Sequence, residues 1–375
     1  MDKSVTGTFE PQGNAGGFLR DPAAGYRIGS ADAFVTPELC RKLRLRGGET
    51  VAGLVGRDGR TRSRGGPVLE RVDSVNDRPV DDYLDTKPFE QLTPIDPLQQ
   101  IRFEIPGGSP SMRVIDLMTP IGLGQRGLIC APPRTGKTVL LQQMAEGVAT
   151  NHPDAHLMML LIDERPEEVT DMRRKVRGEV AASSNDNDAT AHARLARLMI
   201  GKAKRLVETG RDVVILLDSL TRLGRCFNSL IRGGRRIMSG GLDANALIEP
   251  KAIFGAARNV EHGGSLTIIA SALIETGSRM DEVIFSEFKG TGNMEIMLSR
   301  ELADRRVWPA IDLNLSGTRK EELLLTPQAL EASRQVHRSL GGTDPLRAMQ
   351  VLLDQFQKCS TNAEFVERCA ERPFR

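Results

Sequence analysis

Cysteine is scarce and poorly placed for cross-linking: Cys40, Cys130, Cys226, Cys359 and Cys369 are scattered, with no CxxC pair and no Cys/His grouping at metal-ligand spacing. That excludes a disulfide framework and a zinc site of the usual kind, and they read as reduced thiols. No stretch approaches the roughly eighteen consecutive apolar residues of a transmembrane helix. The start, MDKSVTGTFEPQ, lacks the apolar centre of a secretory signal. A cytoplasmic location and no membrane partner are the expectations. Net charge is nearly absent, at +2 over 375 residues, so the field of the whole molecule does not announce a nucleic-acid partner. Internal repeats and low-complexity tracts are missing too.

What charge there is gathers locally. Basic residues group at Arg41, Lys42, Arg44 and Arg46, at Arg57, Arg60, Arg62 and Arg64, and at Arg232, Arg235 and Arg236 among glycines. Each group reads as a nucleic-acid contact or as solvated surface. The length exceeds what one hydrophobic core holds, which predicts two domains. Residues 1–80 alternate short β-like runs (VTGTFEP, GGFLRD, DAFVTP, TVAGLVG, PVLERVDSVN) with Gly, Pro and Asp punctuation, the pattern of a small all-β barrel of the OB or cold-shock kind. Residues 81–108 carry Pro88, Pro94, Pro97 and Pro106 and read as a connector. In residues 109–375 apolar strands alternate with long amphipathic helices, as in RGLICAPP then KTVLLQQMAEGVATN. That alternation predicts an α/β domain with a mostly parallel sheet covered on both faces. Leu, Gln and Arg at helical spacing close the chain as a helical subdomain.

APPRTGKT, Ala131 to Thr138, follows a predicted buried strand and opens a predicted helix. In that setting backbone N–H groups can cradle phosphate oxygens, Lys137 can neutralise them, and the Thr138 hydroxyl can ligate Mg²⁺. Ala131 stands where the P-loop pattern has its first glycine. VVILLDSLTR ends an apolar strand in Asp218, where a carboxylate can hold the water shell of Mg²⁺; alone it could equally cap a helix. In LLIDERPEE, Glu164 follows another buried strand and can polarise an attacking water as general base, or be an ordinary surface carboxylate.

Taken together, RGLICAPPRTGKTVLLQ, LMMLLIDERPEEVTDMRR, VVILLDSLTRLGR, SGGLDANAL, GAARNVEHGGSLTIIASALIETGSRMDEVIFSEFKGTGNMEI and AIDLNLSGTRKEELLL resemble the successive signature segments of the Rho transcription termination family, nearly end to end. The resemblance implies a RecA-like P-loop ATPase domain behind the barrel, and a homohexameric ring with ATP and Mg²⁺ between subunits. Within GLGQRG, Gly122, Leu123, Gly124, Gln125, Arg126 and Gly127 would flank the nucleotide, followed by Arg134, Thr135, Gly136, Lys137, Thr138 and Val139 of the P-loop. Glu164 would activate water, Arg165 would lie at the nucleotide, and Asp218 would serve the metal shell. Trp308 takes the place of a ring that stacks on adenine, or is core. Arg319 matches the family's arginine finger, with Arg306 a second candidate; surface salt bridges are the other reading of both.

The resemblance extends to RNA. In RRIMSGGLDANAL, Gly240 and Gly241 would let a central-channel loop approach the RNA backbone, and in EFKGTGN Lys289 and Gly290 would form the other loop. Phe18 and Phe34 of the barrel would stack on bases, and Arg20 would pair with the backbone. This chain departs from the family at Gly16, where an aromatic ring is usual, and at SRGG ahead of PVLERVDSVN, where another is expected. Two stacking platforms are thus missing, which predicts weaker pyrimidine preference and steeper salt dependence. Any helical extension ahead of the barrel is expected to be short or absent.

The implied activity is ATP-driven translocation along single-stranded RNA that unwinds RNA–DNA hybrids and ends transcription, with RNA polymerase and elongation factors as partners. Two alternatives stand beside it. One is another P-loop ring ATPase, of rotary or recombinase type. The other is a diverged Rho paralogue that binds RNA as a regulator without efficient termination.

Overall fold

Strand periodicity separates the two halves of the chain. In Thr50–Val55 buried and half-buried residues alternate strictly, as in a sheet with one covered face, whereas every residue of Val213–Asp218 is buried, as in a sheet covered on both. The structure, a computed structural model, describes residues 3–56, 67–231 and 239–374. Arg57, Arg60, Arg62, Arg64, the SRGG segment, Arg232, Arg235 and Arg236 lie outside the described residues.

The front domain is one antiparallel sheet ordered Ala33–Val35, Gly17–Arg20, Lys3–Pro11, Thr50–Val55, Leu69–Val75, Arg78–Pro79. It curls towards closure where Phe34 N donates to Pro67 O at 2.7 Å and Phe34 bridges Val68. Phe9, Leu19, Val35, Val51 and Leu69 fill its core. Helix Val80–Leu84 completes that core with Tyr83, so the front unit runs past residue 80.

The second domain is built on parallel strands ordered Glu179–Ser184, His156–Glu164, Val213–Asp218, Ser265–Leu273, Arg126–Ala131, Met294–Met297, with Gly317–Thr318 added antiparallel. Helices cover both faces, and helices Pro327–Leu340, Pro345–Phe356 and Asn362–Glu371 close one end. This is the layered α/β fold that the alternating pattern implies.

The segment 81–108 is not a free connector. Phe89, Ile101 and Phe103 are fully buried among residues of the second domain. Pro94–Ile95 pairs with Arg258–Val260, and Gln100–Ile101 with Ile121–Gly122. Prolines suggested a linker, but the apolar residues between them are anchors, and a few paired residues satisfy the backbone at each.

The barrel docks on helix Ala189–Glu208. At the contact Gly48 has φ +92°, and a Cβ there would lie 2.1 Å from the Gly201 carbonyl carbon, so backbones touch where only glycine fits. Around it Arg46 donates to both oxygens of Glu208 at 2.9 and 2.6 Å, and Tyr26 of the barrel is buried in the core of the second domain.

Candidate functional site

The phosphate loop follows from strand, turn and helix in that order. Strand Arg126–Ala131 delivers the chain to a turn with Arg134 at φ +67° and Gly136 at φ +82°, and helix Lys137–Asn151 starts at once. Gly136 caps the helix in the left-handed region, so the first N–H groups of that helix point into the loop. Thr135 Oγ1 donates to Pro132 O at 2.7 Å and fixes the turn. Lys137 and Thr138 are half-buried at the loop; Arg134 and Val139 are exposed.

Lys137 Nζ reaches Asp218 Oδ1 at 2.5 Å and Glu164 Oε1 at 3.5 Å, so the sheet brings together the three residues that sequence placed at separate strand ends. Neighbouring strands make this happen: Leu161 pairs with Asp218 in register, and a bulge between Ile162 and Glu164 turns the Glu164 side chain. Burial opposes charge on Lys137, but Asp218 and Glu164 outweigh it and hold its pKa above the ordinary value. Burial and the Asp218 carboxylate push Glu164 up to about 7, against the pull of Lys137 and Arg222. Ser271 Oγ donates to the same Asp218 Oδ1 at 2.7 Å, leaving Oδ2 without a protein partner among the described residues.

Arg222 was not singled out from sequence. It pairs with Glu164 at 3.3 Å and Asp163 at 3.6 Å. A signal existed, since Arg222 stands one helical turn past Asp218 in DSLTR, on the helix Leu220–Leu230 that Ser219 caps. Ser271 had none, because only the sheet register brings it to Asp218.

Trp308 is 42% exposed, which rules out the core reading. It lines a cavity of about 410 Å³ with Thr135, Gly136, Val139, Leu140 and Pro309, a slot beside the phosphate loop with one aromatic wall. Ser109, Ser111 and Gln143 add polar groups there, and sequence gave no hint of them. Arg306, exposed at φ +60°, lies two residues before Trp308; Arg165 is exposed at the start of helix Pro166–Lys175.

Gly122, Leu123, Gly124, Gln125, Arg126 and Gly127 are not at this cluster. They form the turn at the start of strand Arg126–Ala131, and the phosphate loop leaves from its far end. Five steps of a parallel strand, roughly 17 Å, separate the two. Arg319 lies with that turn, at the start of the strand and opposite the phosphate loop: Thr318 pairs with Met294, which pairs with Gly127, and Arg319 N donates to Asn293 O at 2.9 Å. Asn293 Oδ1 in turn accepts from Gln125 Nε2 and Arg126 N, each at 2.9 Å. The GLGQRG turn and the exposed Arg319 are therefore one unit, held away from the Lys137 of their own chain.

The RNA-facing candidates divide. Lys289 is exposed at the end of helix Arg279–Lys289, with Gly290 as its C-cap. Gly240 and Gly241, both at positive φ, meet the other end of that helix, where a Cβ on Gly240 would come 2.6 Å from Met280 N. In the barrel, Phe18 is half-buried and packs edge-to-face at 5.3 Å on Phe34, which is buried at 7% exposure. Phe18 is the open ring of the pair, and Phe34 supports it. Arg20 corrects the expectation of a backbone contact: it is 1% exposed and ion-paired to Glu10 and Asp32. A guanidinium without water can leave two buried carboxylates only at great cost. Gly16, at φ +89°, would put a Cβ 2.2 Å from Val35 O, so the aromatic ring usual there does not fit this backbone.

Residues 5–81 match the model of the Rho termination factor, RNA-binding domain, and residues 111–318 that of the ATP synthase alpha/beta family, nucleotide-binding domain. The chain is 51% identical, over 96% of its length, to transcription termination factor Rho of Cereibacter sphaeroides, of which it covers 86%. The chain belongs to the Rho family. Rho of Pseudomonas aeruginosa is 49% identical over 97% of the chain, which covers 87% of that relative. A prototypical ATPase from the type III secretion system of pathogenic bacteria superposes with a TM-score of 0.63 at 21% identity, covering 81% of this chain and 93% of that one. That likeness speaks to the fold alone. Family membership sets aside the rotary and recombinase alternatives. Among the described residues no helix is long and apolar enough to cross a membrane, and no group of three His, Cys, Asp or Glu could hold a metal ion.

Proposed function

We propose that the chain is an RNA-dependent ATPase that works as a homohexameric ring in the cytoplasm, moves along single-stranded RNA and ends transcription by drawing the nascent transcript from RNA polymerase, with elongation factors as further partners. The observation that carries this reading is the separation of Arg319 from Lys137, Glu164 and Asp218. A family arginine finger roughly 17 Å along the sheet from its own phosphate loop can complete a site only on a neighbouring subunit. The GLGQRG turn shares that position, and its nucleotide contact is likewise to the neighbour's ATP.

Adenine stacks on Trp308 in the cavity beside Gly136, and the phosphates lie over the helix start at Lys137 and Thr138. The free Asp218 Oδ2 and the Thr138 hydroxyl suit a hydrated Mg²⁺, which when bound offsets phosphate charge. Phosphate draws Lys137 off its two carboxylates. Glu164 takes the proton of the attacking water, and the neighbour's Arg319, with Arg306 beside Trp308, stabilises the charge that develops on the transferred phosphoryl group.

Lys289 and Gly240 at opposite ends of helix Arg279–Lys289 grip the RNA backbone without reading sequence. Asp281 of that helix accepts from Arg225 Nε at 2.8 Å, and Arg225 stands one turn from Arg222, the partner of Glu164. Movement of the RNA loops thus reaches the hydrolytic carboxylate through two ion pairs.

Steady-state ATP hydrolysis with no nucleic acid, mixed-sequence RNA, poly(C) and single-stranded DNA tests the proposal. RNA stimulates hydrolysis, and Glu164→Ala abolishes it. A folded hexamer that no RNA stimulates would contradict the reading and favour an RNA-binding paralogue.

A further inference from the structure

Arg194 stands between two sites that make no direct contact. It projects from helix Ala189–Glu208, where Asp188 caps the first turn. Its Nη1 donates to both oxygens of Glu10 in the barrel at 2.9 and 2.8 Å, and its Nη2 to the Tyr26 carbonyl at 2.6 Å. Glu10 also holds Arg20, whose guanidinium lies 5.0 Å from the centre of the Phe18 ring. Two residues before Arg194, the His192 ring shares a 2.7 Å hydrogen bond with Ser183 Oγ and comes within 3.9 Å of Asp163. Asp163 and Glu164 share the Arg222 guanidinium.

The same helix is pinned further along. Lys202 Nζ donates to the Tyr26 hydroxyl at 2.8 Å and to Glu179 at 2.7 Å, and Tyr26 is fully buried. The helix is thus tied to the barrel at two points, while Leu195, Leu198, Met199 and Leu206 pack it into the core of the second domain. The path from Arg20 under Phe18 to the turn that bears His192 runs through Glu10 and Arg194.

We propose that Arg194 is a positioning residue that ties the Phe18 face of the barrel to the helix backing Asp163 and Glu164, so that RNA held on the barrel raises turnover at the ATP site. This rests on the RNA-dependent ATPase reading above. Arg194→Met leaves Glu10 still paired with Arg20, so no buried carboxylate is orphaned and the interface keeps its other ties.

The test is a double-mutant cycle on the full-length assembled protein, with Phe18→Ala, Arg194→Met and both. Maximal RNA-stimulated kcat is read against single-stranded RNA, the RNA Kd by anisotropy, and RNA-free hydrolysis alongside. Arg194→Met is expected to lower the stimulated kcat severalfold while the RNA Kd and RNA-free hydrolysis stay within about twofold, and to shrink the effect of Phe18→Ala below about twofold. Arg194→Lys, which keeps the charge on Glu10 but cannot reach Tyr26 O as well, falls between. An equal factor from Phe18→Ala in both backgrounds, or equal loss of RNA-free hydrolysis in Arg194→Met, overturns the proposal. If Arg194→Met does not assemble, Arg194→Gln, which keeps a polar side chain but loses the paired reach to Glu10 and Tyr26 O, enters the same cycle with the same two outcomes. A wild-type protein that RNA does not stimulate at all fails the ATPase reading instead.

Discussion

As the proposed general base, Glu164 must lose its own proton before it can accept one from water. Burial and Asp218 hold its pKa at about 7, so below that pH the free enzyme carries the inert acid and above it the carboxylate. The kcat/KM for ATP hydrolysis should rise about tenfold per pH unit below about 7 and level off above it. Glu164→Gln should flatten the profile along with the rate; an unchanged pH dependence in that variant would assign the ionisation elsewhere. Gly136 offers a second check. Its φ of +82°, and the 2.8 Å that would separate an added Cβ from Trp308 Cζ3, make Gly136→Ala strained by about 1–2 kcal/mol, with the methyl in the adenine slot. That variant should raise the KM for ATP roughly tenfold or more, measured against wild type at equal fold stability. The clustering of Lys137, Glu164 and Asp218 was legible because strand–loop–helix grammar fixes the loop and apolar strands point at their terminal carboxylates. Arg20 was misread because a short motif does not tell whether an arginine faces solvent or two buried acids: Glu10 and Asp32 come to it only through the barrel register.

At the scale of the element, the front barrel depends on that buried triad more than on any single apolar contact. Arg20→Met should leave Glu10 and Asp32 buried and partly unpaired and cost roughly 3–5 kcal/mol, seen as a lowered Tm rather than as a selective loss of RNA affinity. A stable Arg20→Met with weak RNA binding would restore the backbone-contact role. The strands of both domains were readable from their periods of burial. The segment 81–108 was not, because Pro94 and Pro97 suppress any strand signal, while Ile95 finds its partner at Asn259 and Ile101 and Phe103 find theirs at Ile121 and Asp116. Helix Ala189–Glu208 was visible as a helix, but its service to two domains was not, since the residues it joins, such as Arg46 and Glu208, stand 162 positions apart.

At the scale of the molecule, Phe18 is the one open aromatic ring of the barrel among the described residues, so RNA should be held there more by charge than by stacking. Binding of single-stranded RNA should weaken steeply with salt and discriminate little between pyrimidine and purine homopolymers. A shallow salt slope with strong preference for poly(C) would contradict this. The proposed ring requires Arg319 to serve a neighbour, and subunit mixing reads that directly. Arg319→Ala has an intact phosphate loop without a finger to offer; Glu164→Gln has a finger without a base. Each alone should be inactive. Mixed and reassembled, they should recover RNA-stimulated hydrolysis at interfaces where an intact Glu164 meets an intact Arg319 from the next subunit. Mixtures that stay as inactive as their parents, in hexamers shown to contain both chains, would place Arg319 at its own subunit's site or at none.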